Sequence, residues 1–154
     1  HRVFSLVKAL AEAVSVPTSC KIRLLETLPE TLRFCRGLQA AGCAMIAVHG
    51  RQRGSPTRRR SGPADLTAIR AIKRALRIPV LSNGNVRRAI DIQAALRCTQ
   101  TDGVMVAEAL LRYPAVLEQG AADRPSASTR RELLREYLVR RCTDSASTAW
   151  MLTT

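Results

Sequence analysis

Aromatic side chains are scarce in this sequence. Phe, Trp and Tyr together make up 3% of its 154 residues. A sheet that stacks single-stranded bases on aromatic rings needs more of them, which argues against an RNA-recognition module of that kind. Long apolar runs are also missing, since no stretch approaches the roughly 18 residues of a membrane span. We therefore expect no membrane-spanning segment.

Closely paired cysteines are absent as well. The five cysteines include no Cys-x-x-Cys pair, whereas structural zinc sites usually have paired ligands at such spacing. The cysteines stand in apolar or mixed stretches, which is typical of buried, reduced thiols in an intracellular protein. The sequence thus predicts no metal site and a location in the cytoplasm or nucleus.

Acidic residues are few. Asp and Glu number 12 against 25 Lys and Arg, which gives a formal net charge of +13. The only lysines are Lys8, Lys21 and Lys73, so the excess is almost entirely Arg, the side chain best suited to phosphate contact. This balance points first to a polyanionic partner such as nucleic acid and second to a membrane surface. A solvated basic face without such a role is the alternative.

The apolar pattern predicts one helix followed by four β-α units. Residues 3–13 have helical spacing, and Thr27 with Glu30 forms a capping box at the start of the next helix. Asp65 can cap a later helix that has Leu66, Ile69, Ile72 and Leu76 on one side, and Ile90 is expected near the buried side of a helix over 87–97. The strands are expected at 18–24, 44–48, 79–82 and 103–106.

Such a repeat implies an α/β fold with a parallel sheet. Either an open doubly wound sheet or part of a (β/α)8 barrel fits, and a full barrel needs about 250 residues. The β-α units occupy residues 1–118, and a linker is expected at 119–128. A helical tail follows at 129–154, with a second capping box at Thr129 and Glu132.

Polar residues stand where each of the four strands ends, at 21–23, 49–51, 83–85 and 107–108. Parallel β-α folds bind ligands at these carboxyl ends. Lys21 can stabilise negative charge, and His49, with an ordinary pKa near neutrality, can donate hydrogen bonds. The turn at 83–85 and the helix after it can aim N–H groups at a phosphate. Each is common as a structural feature, but together they predict a site for a phosphate and a heterocycle.

Six motifs occur in a fixed order: Cys-Lys-Ile-Arg at 20–23, Ala-Gly-Cys at 41–43, Val-His-Gly-Arg at 48–51, Gly-Pro-Ala-Asp at 62–65, Pro-Val-Leu-Ser-Asn-Gly-Asn at 79–85 and Asp-Gly-Val-Met-Val-Ala-Glu at 102–108. Over about residues 3–118 this set resembles the tRNA-dihydrouridine synthases. It is most similar to their eukaryotic branch, which has Ala-Glu after the last strand where bacterial enzymes have Gly-Arg.

The resemblance implies a flavoenzyme on a TIM barrel, of which this segment would be the last four β-α units. Such enzymes use FMN, reduced by NADPH or NADH, to convert uridine in tRNA to 5,6-dihydrouridine. Matched by motif, the residues that would bind FMN are Lys21, His49, Asn83, Gly84, Asn85, Ala107 and Glu108. Those that would face the tRNA are Arg23, Arg51 and Arg53.

The segment departs from the family pattern in three respects. Ala109 replaces a usual Gly, and its Cβ would crowd the phosphate. Arg58-Arg59-Arg60 forms an unusual basic cluster. None of the five cysteines matches the family's catalytic Cys, so that residue and the N-terminal half-barrel are expected outside this segment, which alone would lack turnover. The alternatives are a non-catalytic basic α/β module that binds RNA or a phosphate ligand, and another FMN barrel enzyme acting on a small molecule.

Overall fold

A computed structural model describes residues 2–53, 62–117 and 126–148, with the backbone alone for 141–148. The cluster Arg58-Arg59-Arg60 and most of the expected linker lie outside the described residues. The elements are α1 (Arg2–Ala13), β1 (Ser19–Leu24), α2 (Leu28–Ala40), β2 (Met45–Gln52), α3 (Leu66–Ala75), β3 (Val80–Asn83), α4 (Ala89–Thr99), β4 (Gly103–Met105), α5 (Glu108–Arg112), a 3-10 helix (Pro114–Leu117) and α6 (Ala127–Thr148). This order confirms one helix followed by four β-α units.

The four described strands form one parallel sheet in the order β1-β2-β3-β4. Strand order therefore follows chain order, without the reversal that characterises a doubly wound sheet. The register pairs His49 with both Arg23 and Asn83, and Asn83 in turn with Met105. The carboxyl ends of the strands thus lie side by side.

Strand β2 is longer than the sequence indicated. It runs to Gln52 instead of ending at Val48, so His49 and Arg51 belong to a strand and not to a loop. The extension depends on an irregularity in β1, where Arg23 pairs with His49 but the next residue, Leu24, pairs with Gln52. Pairing with a neighbouring strand is a tertiary effect, which explains why local composition did not reveal it.

The core lies between the sheet and the helices α2 and α3. Ile46 and Val48 of β2, Ile69 and Ile72 of α3, and Val80 of β3 are each 0% exposed. The predicted apolar stripe of α3 is thus confirmed. The Asp65 side chain accepts a hydrogen bond from Ala68 N at 2.8 Å, as its expected capping role requires.

Two helices correct details of the prediction. In α4 the buried residues are Ala95 and Thr99, whereas Ile90 is 55% exposed. Helix α6 begins at Ala127, and Ser126 Oγ accepts the Thr129 N–H at 3.0 Å. Because a capping side chain bonds to a backbone N–H three residues on, Ser126 caps this helix and Thr129 does not.

Candidate functional site

A cavity of about 540 Å³ opens at the carboxyl ends of the strands. All seven residues predicted to bind a cofactor line it, together with Arg23 and Arg51. Arg53 does not line it and is exposed just after β2. The lining residues are Lys21, Arg23, His49, Arg51, Asn83, Gly84, Asn85, Val86, Arg87, Met105, Val106, Ala107, Glu108, Ala109 and Arg112.

Cations dominate this lining. The lining contains Lys21 and four arginines but only one carboxylate, that of Glu108. Glu108 pairs with Arg112 across one helical turn, with an N–O distance of 2.6 Å. The described cavity therefore carries an excess of positive charge and of hydrogen-bond donors, which favours an anionic ligand rich in acceptors.

Two of these arginines, Arg87 and Arg112, were not among the predicted site residues. Both carry sequence signals that could have identified them. Arg87 follows the Asn-Gly-Asn turn closely, and Arg112 stands four residues after Glu108 on the same helix face. The apolar residues of the lining were missed as well. They are Val86, Met105 and Val106, and their residue types do not distinguish them from ordinary core residues.

Asn83 ends β3 at the wall of the cavity. Its side chain is 8% exposed and its Nδ2 donates to the carbonyl oxygen of Met105 at 2.7 Å. One amide hydrogen of Asn83 thus extends the bonding between β3 and β4. This contact fixes the point at which the chain leaves the sheet for the turn.

The turn after Asn83 has a backbone that favours Gly and Asn. Gly84 has a φ of 114° and Asn85 a φ of 65°, both in the left-handed region. A Cβ on Gly84 would come within 2.8 Å of the Ala64 Cβ, so side chains are also excluded by space. The turn is therefore packed directly against the segment that precedes α3.

Two of the N–H groups that follow this turn are already engaged. Arg87 N and Arg88 N both donate to Asp91 Oδ2, at 2.9 and 3.0 Å. These two N–H groups are therefore not available to a phosphate, and for the other N–H groups of the turn and of the start of α4 phosphate binding stays a prediction. Within the described cavity, cationic side chains rather than these two amides are the groups available to an anion.

His49 and Arg51 are in direct contact at the end of β2. Arg51 Nη1 lies 3.2 Å from His49 Nε2, and the Nδ1 of His49 is buried without a described hydrogen-bond partner. Burial, reinforced by the nearby charges of Arg23, Arg51 and Lys21, lowers the pKa of His49 to about 4. The imidazole is therefore neutral at neutral pH, which corrects the expectation that it titrates there.

The described residues contain no group of three or more His, Cys, Asp or Glu side chains that could hold a metal ion. None of the described helices is long and apolar enough to cross a membrane. The thiols of Cys20 and Cys35 are free, and burial is the main cause that raises their pKa values to about 11 and about 12.

Several known proteins are similar to this chain in sequence. The family model described as dihydrouridine synthase (Dus) matches residues 1–149. The chain is 40% identical over 111 residues to a Rattus norvegicus tRNA-dihydrouridine(16/17) synthase-like protein whose name specifies NAD(P)(+), covering 70% of this chain and 24% of that protein. It is 37% identical over 117 residues to a Homo sapiens tRNA-dihydrouridine(20a/20b) synthase-like protein, covering 74% of this chain and 36% of that one.

The fold has a known counterpart too. A solved structure of a mandelate oxidase mutant with benzaldehyde superposes with a TM-score of 0.50 at 19% identity, covering 75% of this chain and 38% of that one. At this identity the likeness concerns the fold alone, which in that enzyme is a TIM barrel. The chain spans about a quarter to a third of the length of the curated relatives named above. The match over residues 1–149, with the identities to these relatives, establishes that the chain belongs to the dihydrouridine synthase family.

Proposed function

We propose that this chain forms the FMN- and tRNA-binding part of a tRNA-dihydrouridine synthase, in which NADPH or NADH supplies the electrons that reduce uridine to 5,6-dihydrouridine. The observation that carries the proposal is the cavity at the strand ends. The seven residues that the family motifs assign to FMN all line it. Family membership supports the same reading, since the names of the curated relatives specify tRNA, dihydrouridine and NAD(P).

The sheet would be the last half of a (β/α)8 barrel. Its strand order follows chain order, as in a barrel, and its edge strands β1 and β4 have no outer neighbour among the described residues. Helix α1 has no buried residue, and its Leu6 and Leu10 are 63% and 51% exposed. An apolar surface of this kind is consistent with cover by further β-α units.

The residues present fit FMN. The cavity volume lies within the range of roughly 300–1,000 Å³ usual for cofactor sites. Its cations suit a phosphate, and the buried, unpartnered Nδ1 of His49 suits an acceptor atom on the flavin ring. Ala109 is 5% exposed within α5, so its methyl group is largely covered by protein.

A bound flavin would supply the hydride that reduces the C5–C6 bond of uracil. The Lys21 ammonium would stabilise negative charge on the ring system, and the cations near the turn would hold the phosphate. His49 would act as a neutral hydrogen-bond donor and not as an acid, because its pKa is lowered to about 4. None of the five cysteines matches the family's catalytic Cys, so the proton donor to uracil is assigned to no residue of this segment.

The tRNA would approach from the open side of the cavity. A uridine must leave its stack to reach a ring lying at the strand ends. Arg53, which is exposed just after β2, would contact backbone phosphates, and Arg23, which lines the cavity, would lie nearer the base. Such phosphate binding makes affinity fall steeply with salt, and removing one phosphate-binding cation reduces the salt slope by roughly 0.7–0.9.

Flavin binding tests the proposal. The chain is titrated into FMN and, separately, into riboflavin, which has the same ring without the phosphate, while flavin fluorescence is recorded. We expect FMN to bind at least tenfold more tightly than riboflavin, because the cationic lining has no anion to pair with in riboflavin. Failure to bind FMN, combined with salt-sensitive tRNA binding, would instead support the non-catalytic RNA-binding module.

Turnover is tested separately. The chain is incubated with tRNA, FMN and NADPH, and dihydrouridine is sought by mass spectrometry of the digested tRNA. We expect binding without product, because the segment contains no match to the catalytic Cys. Product formation by the chain alone would contradict that part of the proposal.

A further inference from the structure

The Arg51 guanidinium joins three separate parts of the site. Its Nε donates to the carbonyl oxygen of Gly62 at 2.9 Å, and its Nη2 donates to Asn85 Oδ1 at 3.3 Å. Its Nη1 contacts His49 Nε2 at 3.2 Å. One side chain therefore ties the end of β2 to the segment before α3 and to the turn after β3.

The contact with His49 determines which imidazole nitrogen carries the proton. A guanidinium has donors and no acceptor, so His49 Nε2 must be the acceptor in this hydrogen bond. In a neutral imidazole the proton then resides on Nδ1. The ring is held in one tautomer, with its N–H directed away from Arg51.

The remaining N–H of His49 has no described partner. His49 Nδ1 is buried and makes no hydrogen bond to the described residues. Leaving a buried donor unpaired is unfavourable, and His49 is one of the residues that line the cavity, so a bound ligand is expected to supply the missing acceptor. A carbonyl oxygen or an unprotonated ring nitrogen of a heterocycle supplies that acceptor.

Arg51 also stabilises the turn through Asn85. The Asn85 Oδ1 accepts from Arg51 and from Ala64 N, the latter at 2.9 Å, and the Asn85 Nδ2 donates to Ala64 O at 3.3 Å. The backbone of Asn85 is in the left-handed region, with a φ of 65°. These hydrogen bonds hold a strained residue beside the cavity in one position.

We propose that Arg51 is a positioning residue, which fixes His49 in the Nδ1–H tautomer and holds the turn at Asn85, so that the site offers its heterocyclic ligand one fixed N–H donor. The proposal rests on the proposed function for the nature of that ligand. It differs from the contact expected from the sequence, in which Arg51 would face the phosphates or the uridine of the tRNA.

The tautomer can be measured without flavin or tRNA. The chain has two histidines, so in a His1→Gln background the only imidazole signals in a long-range ¹H–¹⁵N correlation spectrum are those of His49. At neutral pH we expect a protonated Nδ1 and an unprotonated Nε2. A protonated Nε2 would overturn the proposal. Because no cofactor is present, this result is independent of whether the chain binds FMN.

A pair of variants distinguishes the effect of the Arg51 hydrogen bond on the His49 tautomer from the effect of a nearby positive charge. Arg51→Lys keeps the positive charge but loses the planar fork that reaches His49, Gly62 and Asn85 together. We expect the ratio of Nδ1–H to Nε2–H forms to fall at least tenfold. The control is Arg23→Gln, which removes a cation near His49 that makes no described hydrogen bond to it. We expect a change in the ratio of less than twofold there.

Equal changes in both variants would show that charge alone sets the tautomer, which would overturn the proposal. Should Arg51→Lys fail to fold, the spectrum of the parent chain still decides the tautomer.

Adding FMN or uridine monophosphate to the labelled chain then identifies the acceptor. A shift of the Nδ1–H signal with FMN assigns it to the flavin, and a shift with the nucleotide assigns it to uracil. If the signal moves with neither ligand at saturation, the donor does not face the ligand and the proposal is wrong.

Discussion

The Asn85 side chain forms two hydrogen bonds with the backbone of Ala64: Ala64 N donates to Oδ1 at 2.9 Å and Nδ2 donates to Ala64 O at 3.3 Å. Residues 21 positions apart are thereby joined where the turn after β3 meets the segment before α3. The amide side chain acts as both donor and acceptor, so it satisfies the N–H and the carbonyl group of one backbone residue. The shape of the cavity wall depends on this contact.

Two substitutions of Asn85 distinguish the effect of its backbone conformation from the effect of its side-chain hydrogen bonds. Both Asn85→Ala and Asn85→Gly lose the hydrogen bonds to Ala64, but only Ala retains a Cβ at a φ of 65°. We expect Asn85→Ala to have a free energy of unfolding about 1 kcal/mol below that of Asn85→Gly. Urea denaturation measures the difference. An Ala variant as stable as the Gly variant would show that the backbone at this position is not constrained.

Two glycines with positive φ differ in the space around them. A Cβ on Gly84 would meet the Ala64 Cβ at 2.8 Å, whereas a Cβ on Gly62 meets no atom within 4 Å. We expect Gly62→Ala to lose about 1 kcal/mol of stability from its backbone alone. Gly84→Ala should lose roughly 1–3 kcal/mol more, because neighbouring backbone must also shift. Thermal and urea unfolding of both variants test this order, and equal losses would argue against close packing of the turn.

A matched pair of isoleucines tests the placement of the core. Ile69 of α3 is 0% exposed, while Ile90 of α4 is 55% exposed. We expect Ile69→Ala to lower the free energy of unfolding by about 2–5 kcal/mol, because apolar burial decreases and a cavity is left behind. Ile90→Ala should change it by about 0.5 kcal/mol or less. A large loss at Ile90 would mean that this residue is covered in solution.

His49 makes stability depend on pH. Its pKa is about 4 in the folded chain against an ordinary 6.5, so between these values the unfolded chain binds a proton that the folded chain does not. The free energy of unfolding contributed by His49 is therefore intact above pH 6.5, decreases as the pH falls, and is fully lost below pH 4. In His49→Asn we expect a weaker decrease across this window, measured by urea unfolding at several pH values. An unchanged pH dependence would contradict the lowered pKa.

The strand-end residues could be located from sequence because parallel strands bring their carboxyl ends to one edge. His49 and Asn83 each follow a recognisable apolar run, Lys21 lies within the short strand predicted over 18–24, and pairing of the strands then places them together. The contacts of Arg51 could not be predicted in this way. Its hydrogen bonds reach Gly62, 11 residues away, and Asn85, 34 residues away, so they exist only once β2, β3 and the segment before α3 have been assembled.

Helix faces were predictable only where periodicity was strong. The stripe that includes Ile69 and Ile72 identified the buried side of α3 correctly. In α4 the small residues Ala95 and Thr99, four positions apart, lie on the buried face while Ile90 is exposed. Residue size at a contact is set by the partner element, which a single segment of sequence does not specify.

The central claim is that the cavity at the strand ends binds the phosphate-bearing flavin. Lys21 and Arg53 provide the most direct test, since each stands near the end of a strand and each carries one positive charge, but only Lys21 lines the cavity. The measurement is the dissociation constant of FMN, from flavin fluorescence, for the parent chain, Lys21→Gln and Arg53→Gln. We predict at least tenfold weaker binding for Lys21→Gln and a change of less than twofold for Arg53→Gln. Equal weakening in both variants, or no weakening in Lys21→Gln, would contradict the assignment of the cavity.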